Sequence, residues 1–213
     1  MKTKWGRATT GRYRLLGITL LILIFMLALH WVTYALSDDP EIALALGEPW
    51  EVMRKRSTVK IAPAIPDEIW FRTPKSDARL RFIDPQYGFE TPLARFFTIG
   101  FEYGQVVDIR MSPQIEPLLL DDALKVVLDL QDQWRAGGWL PMRRISSPPF
   151  ADTPEWRTRL RDVNKGGVTY WQAGVKYQIL LGLNLFDDKR YLDQERYLIT
   201  LGIGSPWLLE HIE

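Results

Sequence analysis

The hydrophobic pattern changes period along the chain, and each change predicts an element. Residues 15–36, LLGITLLILIFMLALHWVTYAL, form an unbroken apolar run of 22 residues without a charged side chain. As a helix this run is ~33 Å long at ~1.5 Å per residue, against a bilayer hydrocarbon core of ~30 Å. It predicts one transmembrane helix. Beyond it the apolar residues recur with the short periods of a folded domain. Asp39-Pro40-Glu41 suits the opening of a short helix through IALAL, stopped by Gly47 and Pro49. Val59–Ala62, Glu68–Arg72 and Ala78–Ile83 are candidate short strands.

From Phe96 the alternation is strict. Phe97, Ile99 and Phe101 alternate with Thr98, Gly100 and Glu102. Past Tyr103-Gly104, Val107, Ile109 and Met111 alternate with Asp108 and Arg110, which predicts a β-hairpin with one buried face. A helix follows over 121–136, with Asp121 as its N-cap and Gly137-Gly138 as its stop. Its stripe is Ala123, Val127, Leu130 and Trp134, spaced 4, 3 and 4. Trp139-Leu140 begins a short strand, and 146–150 (SSPPF) is a loop. Asp152-Thr153-Pro154-Glu155 opens a second helix to about Asp162, with the spacing of a capping box. After the turn 164–167, Val168–Gln172 is a strand. From Val175 to Phe186 a long strand turns Val175, Tyr177, Ile179, Leu181, Leu183 and Leu185 to one buried face and Lys176, Gln178, Leu180, Gly182, Asn184 and Phe186 to the opposite row. Tyr197, Ile199, Leu201 and Ile203 repeat the pattern after a charged connection at 187–196.

The fold class is therefore α+β: one N-terminal transmembrane helix, then an exported domain whose antiparallel sheet packs against one or two helices. The divisions are a basic tail (1–14), the span (15–36), a stem (37–66) and the α+β domain (67–213). The stem is assigned because half of the chain's 14 prolines lie between residues 37 and 92. Met53-Arg54-Lys55-Arg56 is solvated surface on that stem.

Charge orients the span. Residues 1–14 carry Lys2, Lys4, Arg7, Arg12 and Arg14 and no acid, whereas all 26 acids lie beyond the apolar run. The bias keeps the N-terminus in the cytoplasm and exports the rest. Trp5 and Tyr13 flank the inner end beside Arg12 and Arg14, and Trp31 and Tyr34 flank the outer end, where amphipathic rings favour the headgroup layer. A cleaved signal peptide at Ala35-Leu36-Ser37 is the alternative, but its apolar region is ordinarily shorter. His30 is read as neutral or snorkelling near the outer interface, and with Gly17 as its only glycine the span has no small-residue dimer face. The chain has no cysteine, which removes disulfides, zinc thiolates, thiol catalysis and a lipid anchor on cysteine. A domain of this size without disulfides fits a bacterial inner-membrane protein with a periplasmic domain. Of 27 basic residues, 22 lie past the anchor with the 26 acids, a net −4 that argues against a nucleic-acid surface.

The inventory for catalysis is thin. His30 and His211 are the only histidines, one in the span and one on the terminal segment, so a Ser-His-Asp triad is not expected. Gly202-Ile203-Gly204-Ser205-Pro206 lacks the order of a nucleophile elbow and is read as a strand-end turn. No phosphate loop or dinucleotide fingerprint occurs. Asp121/Asp122 belong to a helix start. Asp187/Asp188 lie beside Lys189, Arg190 and Arg196 without a calcium-loop pattern. The expectation is no enzyme, no metal, no cofactor and no small-molecule substrate.

What remains is surface. The connection 187–196 is long for a hairpin and combines Asp187, Asp188, Arg190, Tyr191, Asp193 and Arg196. Tyrosine and arginine are common interface anchors, so Arg190, Tyr191, Asp193 and Arg196 are the first candidate binding residues. Trp171, in the Tyr170-Trp171-Gln172 segment, is the second. The expected role is a periplasmic protein-binding protein held by its anchor, of the kind that includes immunity proteins neutralising secreted antibacterial effectors. The alternative is a structural or regulatory subunit of an envelope or secretion complex. Both rest on architecture alone.

Overall fold

An antiparallel meander near the C-terminus organises the domain. The computed structural model describes residues 40–142, 147–191 and 193–208, with Met26 alone before them. In chain order the elements are β1 (Glu41–Leu44), α1 (Trp50–Arg56), β2 (Ile69–Arg72), β3 (Arg79–Phe82), β4 (Phe89–Glu90), β5 (Phe97–Glu102), β6 (Gln105–Met111), α2 (Leu120–Ala136), β7 (Leu140–Pro141), α3 (Pro154–Arg161), β8 (Gly167–Ala173), β9 (Tyr177–Phe186) and β10 (Arg196–Gly204). Seven strands form one sheet in the order β2-β5-β6-β10-β9-β8-β7, every neighbouring pair antiparallel. A second sheet, β1-β3-β4, pairs β1 with β3 in parallel. The α+β class and the antiparallel sheet expected from the sequence are present. The span 15–36 and its flanks Trp5, Arg12, Tyr13, Arg14, Trp31 and Tyr34 lie outside the described residues. Among the described residues no helix is long and apolar enough to cross a membrane.

The core is the inward row of the large sheet against α2. Ile179, Leu181 and Leu183 of β9 lie opposite Ile203, Leu201 and Ile199 of β10, and all six are buried. The α2 stripe of Ala123, Val127, Leu130 and Trp134, widened by Leu124, is buried against them. Burying a large apolar side chain contributes about 1.5–3 kcal/mol relative to exposing it, so this layer is a substantial part of the domain's stability. Gly138, at φ +83°, turns the chain out of α2 into β7, as the Gly-Gly stop predicts. Thr153 caps α3 by accepting from the Trp156 amide, with Pro154 in the first turn.

Four expectations are corrected. First, Glu41–Leu44 is a strand, not a helix: alanine and leucine suit both, and hydrogen bonding to β3 decides. Second, residues 40–66 are not a stem. Ile42, Leu44, Trp50 and Met53 are buried in the domain core, and one compact unit begins at Asp39. Third, α2 starts one residue early, with Leu119 at the N-cap and no side-chain cap. The chain is clamped before the helix by Leu118 N–Tyr197 O (3.1 Å) and Tyr197 N–Leu118 O (2.8 Å), so tertiary pairing sets its start. Asp121 and Asp122 still occupy the first turn, where they favour the helix dipole. Likewise the N-cap of α3 is Thr153, not Asp152.

Fourth, Gln178 is not a solvent-facing residue. It is fully buried. Its Oε1 accepts from the amides of Trp207 (3.1 Å) and Leu208 (2.9 Å), and its Nε2 donates to Leu208 O (3.1 Å). Gln114 and Gln131 play the same part elsewhere. Gln114 bridges Tyr197 O and the Ile199 amide, and Gln131 pairs with both backbone groups of Phe150. Gln178 and Gln131 satisfy the backbone of irregular segments, and Gln114 that of the first half of β10, where β6 does not pair.

Two substitutions on β9 test this layering. Leu181→Asp places an unpaired charge in the core, at a cost of about several kcal/mol, and the domain should be unfolded by circular dichroism. Gln178→Ala strands two amides and a carbonyl, at about 1–3 kcal/mol for each buried group left unpaired, and should lower Tm clearly. Asn184→Asp, on the same row as Gln178 but exposed, should melt like the wild type.

Candidate binding surface

The loop between β9 and β10 is built around two arginines and a tyrosine. Asp188, 8% exposed, accepts from Arg190 at Oδ1 (Nε, 2.9 Å) and Oδ2 (Nη2, 2.6 Å) and from the Arg190 amide (3.1 Å). These bonds pull its carboxyl down to about 2. The guanidinium carbons of Arg190 and Arg196 lie 5.6 Å and 4.0 Å from the centre of the Tyr191 ring, a contact that guanidinium planes favour. Arg196 also donates to Gln194 Oε1 (2.7 Å) and Pro117 O (3.4 Å). Glu195 accepts from the Tyr197 hydroxyl (3.1 Å) and pairs with Arg161 (3.3 Å). Burial, then Glu195, pushes the Tyr197 hydroxyl up to about 12. Asp193 is exposed and lines a shallow cleft with Leu185, Phe186 and Val163.

The loop thus brings Arg190, Tyr191 and Arg196 together as the sequence proposed, but its charges are largely spent internally. The arginines hold the tyrosine in place, and Arg190 is committed to Asp188. Trp171 is corrected outright. It is fully buried, 5.6 Å from Trp134, with the Arg135 guanidinium over its ring, and presents no surface.

A larger surface lies on the sheet face opposite α2. Because β10 buries Tyr197, Ile199, Leu201 and Ile203, it must turn Arg196, Leu198, Thr200, Gly202 and Gly204 outward. This row runs roughly 26 Å at ~3.3 Å per residue, from the Tyr191–Arg196 stack to Trp207. Leu180 flanks it from β9, and Asp108 and Arg110 flank it from β6, opposite Gly204 and Gly202. Two adjoining grooves follow the row. One, of about 640 Å³, is bounded by Asp108, Leu180, Thr200 and Trp207, and the other, of about 360 Å³, by Phe96, Arg110, Ile115 and Leu198. Trp207 and Phe96 are about half exposed, at 46% and 53%.

Glycines keep this face low. A Cβ on Gly100 would lie 2.6 Å from the Asp108 carboxylate, and one on Gly204 would sit 3.6 Å from the Trp207 ring and 3.8 Å from Asp108 Cβ. Asp108 is exposed, its carboxylate has no hydrogen-bond partner among the described residues, and partial desolvation raises its carboxyl above the usual range. Sequence reasoning placed Gly202 and Gly204 in a strand-end turn and saw Asp108 only as a polar strand position. The available signal was the phase of the glycines: Gly100, Gly182, Gly202 and Gly204 all fall on the outward row of three strands, and glycine inside a strand marks close approach by something else.

The raised Asp108 carboxyl gives a pH test. Ionisation costs more in the folded state, so its unfavourable contribution is absent below the ordinary carboxyl value of 3.8 and grows as pH rises through the folded value. Asp108→Asn should therefore raise Tm at pH 7, and the difference should vanish near pH 3. An equal Tm at pH 7 would mean that solvent screens the carboxylate fully.

Comparison with known proteins supplies no analogue for this arrangement: no family model matches the chain, and neither a curated protein nor a solved structure matches it.

Proposed function

We propose that the chain is a membrane-tethered, periplasmic protein-binding protein, anchored in a bacterial inner membrane by residues 15–36 and recognising its partner with the outward row of β10. The single observation that supports the binding role is the continuity of that row. A shallow strip of roughly 26 Å, with aromatic residues at both ends and mixed charge along its sides, suits an extended stretch of another protein better than a small molecule, for which enclosed pockets are usual. Tyr191 and Trp207 serve as apolar anchors. Arg110, Asp108 and Asp193 set register and steer the encounter. A tether places such a surface where an effector acting in the periplasm or on the membrane must pass, so neutralisation of a secreted antibacterial effector is the role we favour within this class.

Two measurements test the proposal. A reporter enzyme active only outside the cytoplasm, fused after residue 213, should be active, and the chain should stay with membranes after alkali washing. A soluble product shortened to begin near Asp38 would overturn the anchor. For the surface, Leu198→Glu and Tyr191→Ala point outward and should leave Tm nearly unchanged, while capture of partners from envelope extracts by the full chain falls at least tenfold, ~1.4 kcal/mol. Arg190→Ala is unsuitable, since it strands the Asp188 carboxylate. Undiminished capture by both variants would exclude the β10 row.

A further inference from the structure

The seven-stranded sheet ends differently on its two sides. At one edge β7 is two residues long and contains Pro141, a residue that cannot donate to a further strand. At the other, β2 presents Ile69, Trp70 and Phe71, 59%, 55% and 47% exposed, with no strand beyond it among the described residues. The rings of Trp70 and Phe71, neighbours on the strand, stack 5.4 Å apart. Such an edge is a template for another strand.

The hydrogen-bond phase shows what this edge offers. Tyr103 N donates to Glu68 O (3.2 Å), and Trp70 and Arg72 follow at period two against Phe101 and Ile99. The backbone groups of Glu68, Trp70 and Arg72 therefore turn toward β5, and those of Ile69 and Phe71 turn outward. Beyond Arg72 the edge closes: Arg72 Nε donates to Pro63 O (3.0 Å), and Ile61 bridges Pro74. The opening is the five residues Glu68-Ile69-Trp70-Phe71-Arg72.

We propose that this opening is a self-pairing site, filled by β2 of a second copy of the chain in antiparallel register about a two-fold axis at Trp70. The sequence is self-complementary in that register. Ile69 and Phe71, whose backbone groups face outward, fall opposite each other and supply the hydrogen-bonded pairs. Trp70 faces Trp70 of the second copy, and Glu68 faces Arg72 at both ends, in the closer non-hydrogen-bonded positions where opposite charges attract. The neighbouring registers of the same phase lose this match, placing Glu68 against Trp70 or Trp70 against Arg72. The contact is isologous, so it closes as a dimer rather than growing into a fibre, and it joins the two large sheets edge to edge. It leaves the outward row of β10 free, so it stands or falls independently of the partner surface.

Charge exchange tests the register with the purified full chain in detergent. Glu68→Arg and Arg72→Glu should each weaken self-association at least tenfold by analytical ultracentrifugation, because each puts like charges opposite at both ends. An equimolar mixture of these two variants should dimerise again, because both ends then become opposite-charge pairs. The chain has no native cysteine, so Trp70→Cys gives an independent readout that survives poor behaviour of either charge variant. On mild oxidation it should cross-link to a covalent dimer, whereas Val175→Cys, on the exposed turn between β8 and β9, should not. A wild-type chain that remains monomeric, single variants that dimerise as well as the wild type, or a mixture that stays monomeric would overturn the proposal. So would Trp70→Cys that fails to cross-link, or a Trp70→Asp effect seen only as lost binding to phosphatidylethanolamine–phosphatidylglycerol vesicles.

Discussion

The burial of the β9–β10 inner row under α2 is the contact on which the rest of the molecule depends. A strand has two faces and a side-chain period of two. Once Ile179, Leu181 and Leu183 are committed to α2, the identity of every outward residue on β9 is settled, and the pairing register carries the same choice to β10, β6 and β5. A one-residue slip would put all of the core side chains in water. The outward surface is thus not chosen separately from the core. Leu198, Thr200, Gly202 and Asp108 stand where they do because Ile199, Leu201, Ile203 and Ile109 could not.

That dependence explains what was legible in the sequence. The hairpin β5–β6, the meander β8–β9–β10, α2 and α3 were readable in outline, because each carries its own periodicity and its own stop signal, but strict alternation misplaced two residues: the bulge in the hairpin buries Val106 and leaves Val107 half-buried, and Val175 lies exposed in the turn before β9. β1 was not, because its partner β3 lies 38 residues on, from Glu41 to Arg79, and four residues of Glu-Ile-Ala-Leu state no preference strong enough to outvote an Asp-Pro-Glu helix start. The first turn of α2 was misplaced for a related reason. A capping aspartate is worth about 1 kcal/mol, and the Leu118–Tyr197 clamp, with two backbone bonds and a buried tyrosine behind it, outweighs that preference.

The buried glutamines mark the limit of pattern reading in another way. Gln114, Gln131 and Gln178 sit at positions that a hydrophobic–polar pattern assigns to solvent or leaves unassigned. They are buried because an amide side chain mimics the peptide group and can complete a ladder that the backbone itself cannot reach. Only the folded chain shows which irregular segments need this. The loop 187–196 carries the same lesson with charge: Arg190, Tyr191, Asp193 and Arg196 read as candidate binding residues along the chain, and in the fold Arg190 is committed to Asp188 and Arg196 to Gln194 and the Tyr191 ring.

The glycines of the outward face complete the argument from cost. Glycine inside a strand loses more conformational entropy on folding than other residues and brings no side chain to pack, a penalty of roughly 0.5–1 kcal/mol at each position relative to alanine. Gly100, Gly182, Gly202 and Gly204 place that penalty four times in adjoining strands, all on one face. Among these four, only at Gly100 would a Cβ collide with its surroundings, lying 2.6 Å from the Asp108 carboxylate. At Gly202 an added Cβ would meet nothing closer than 3.9 Å, and at Gly182 nothing closer than 3.7 Å. The domain's own packing therefore does not require glycine at either position. What Gly202 and Gly204 produce is a low floor between Leu180, Asp108 and Trp207. A floor kept low at a cost to the isolated domain is consistent with the close approach that the proposed extended partner requires.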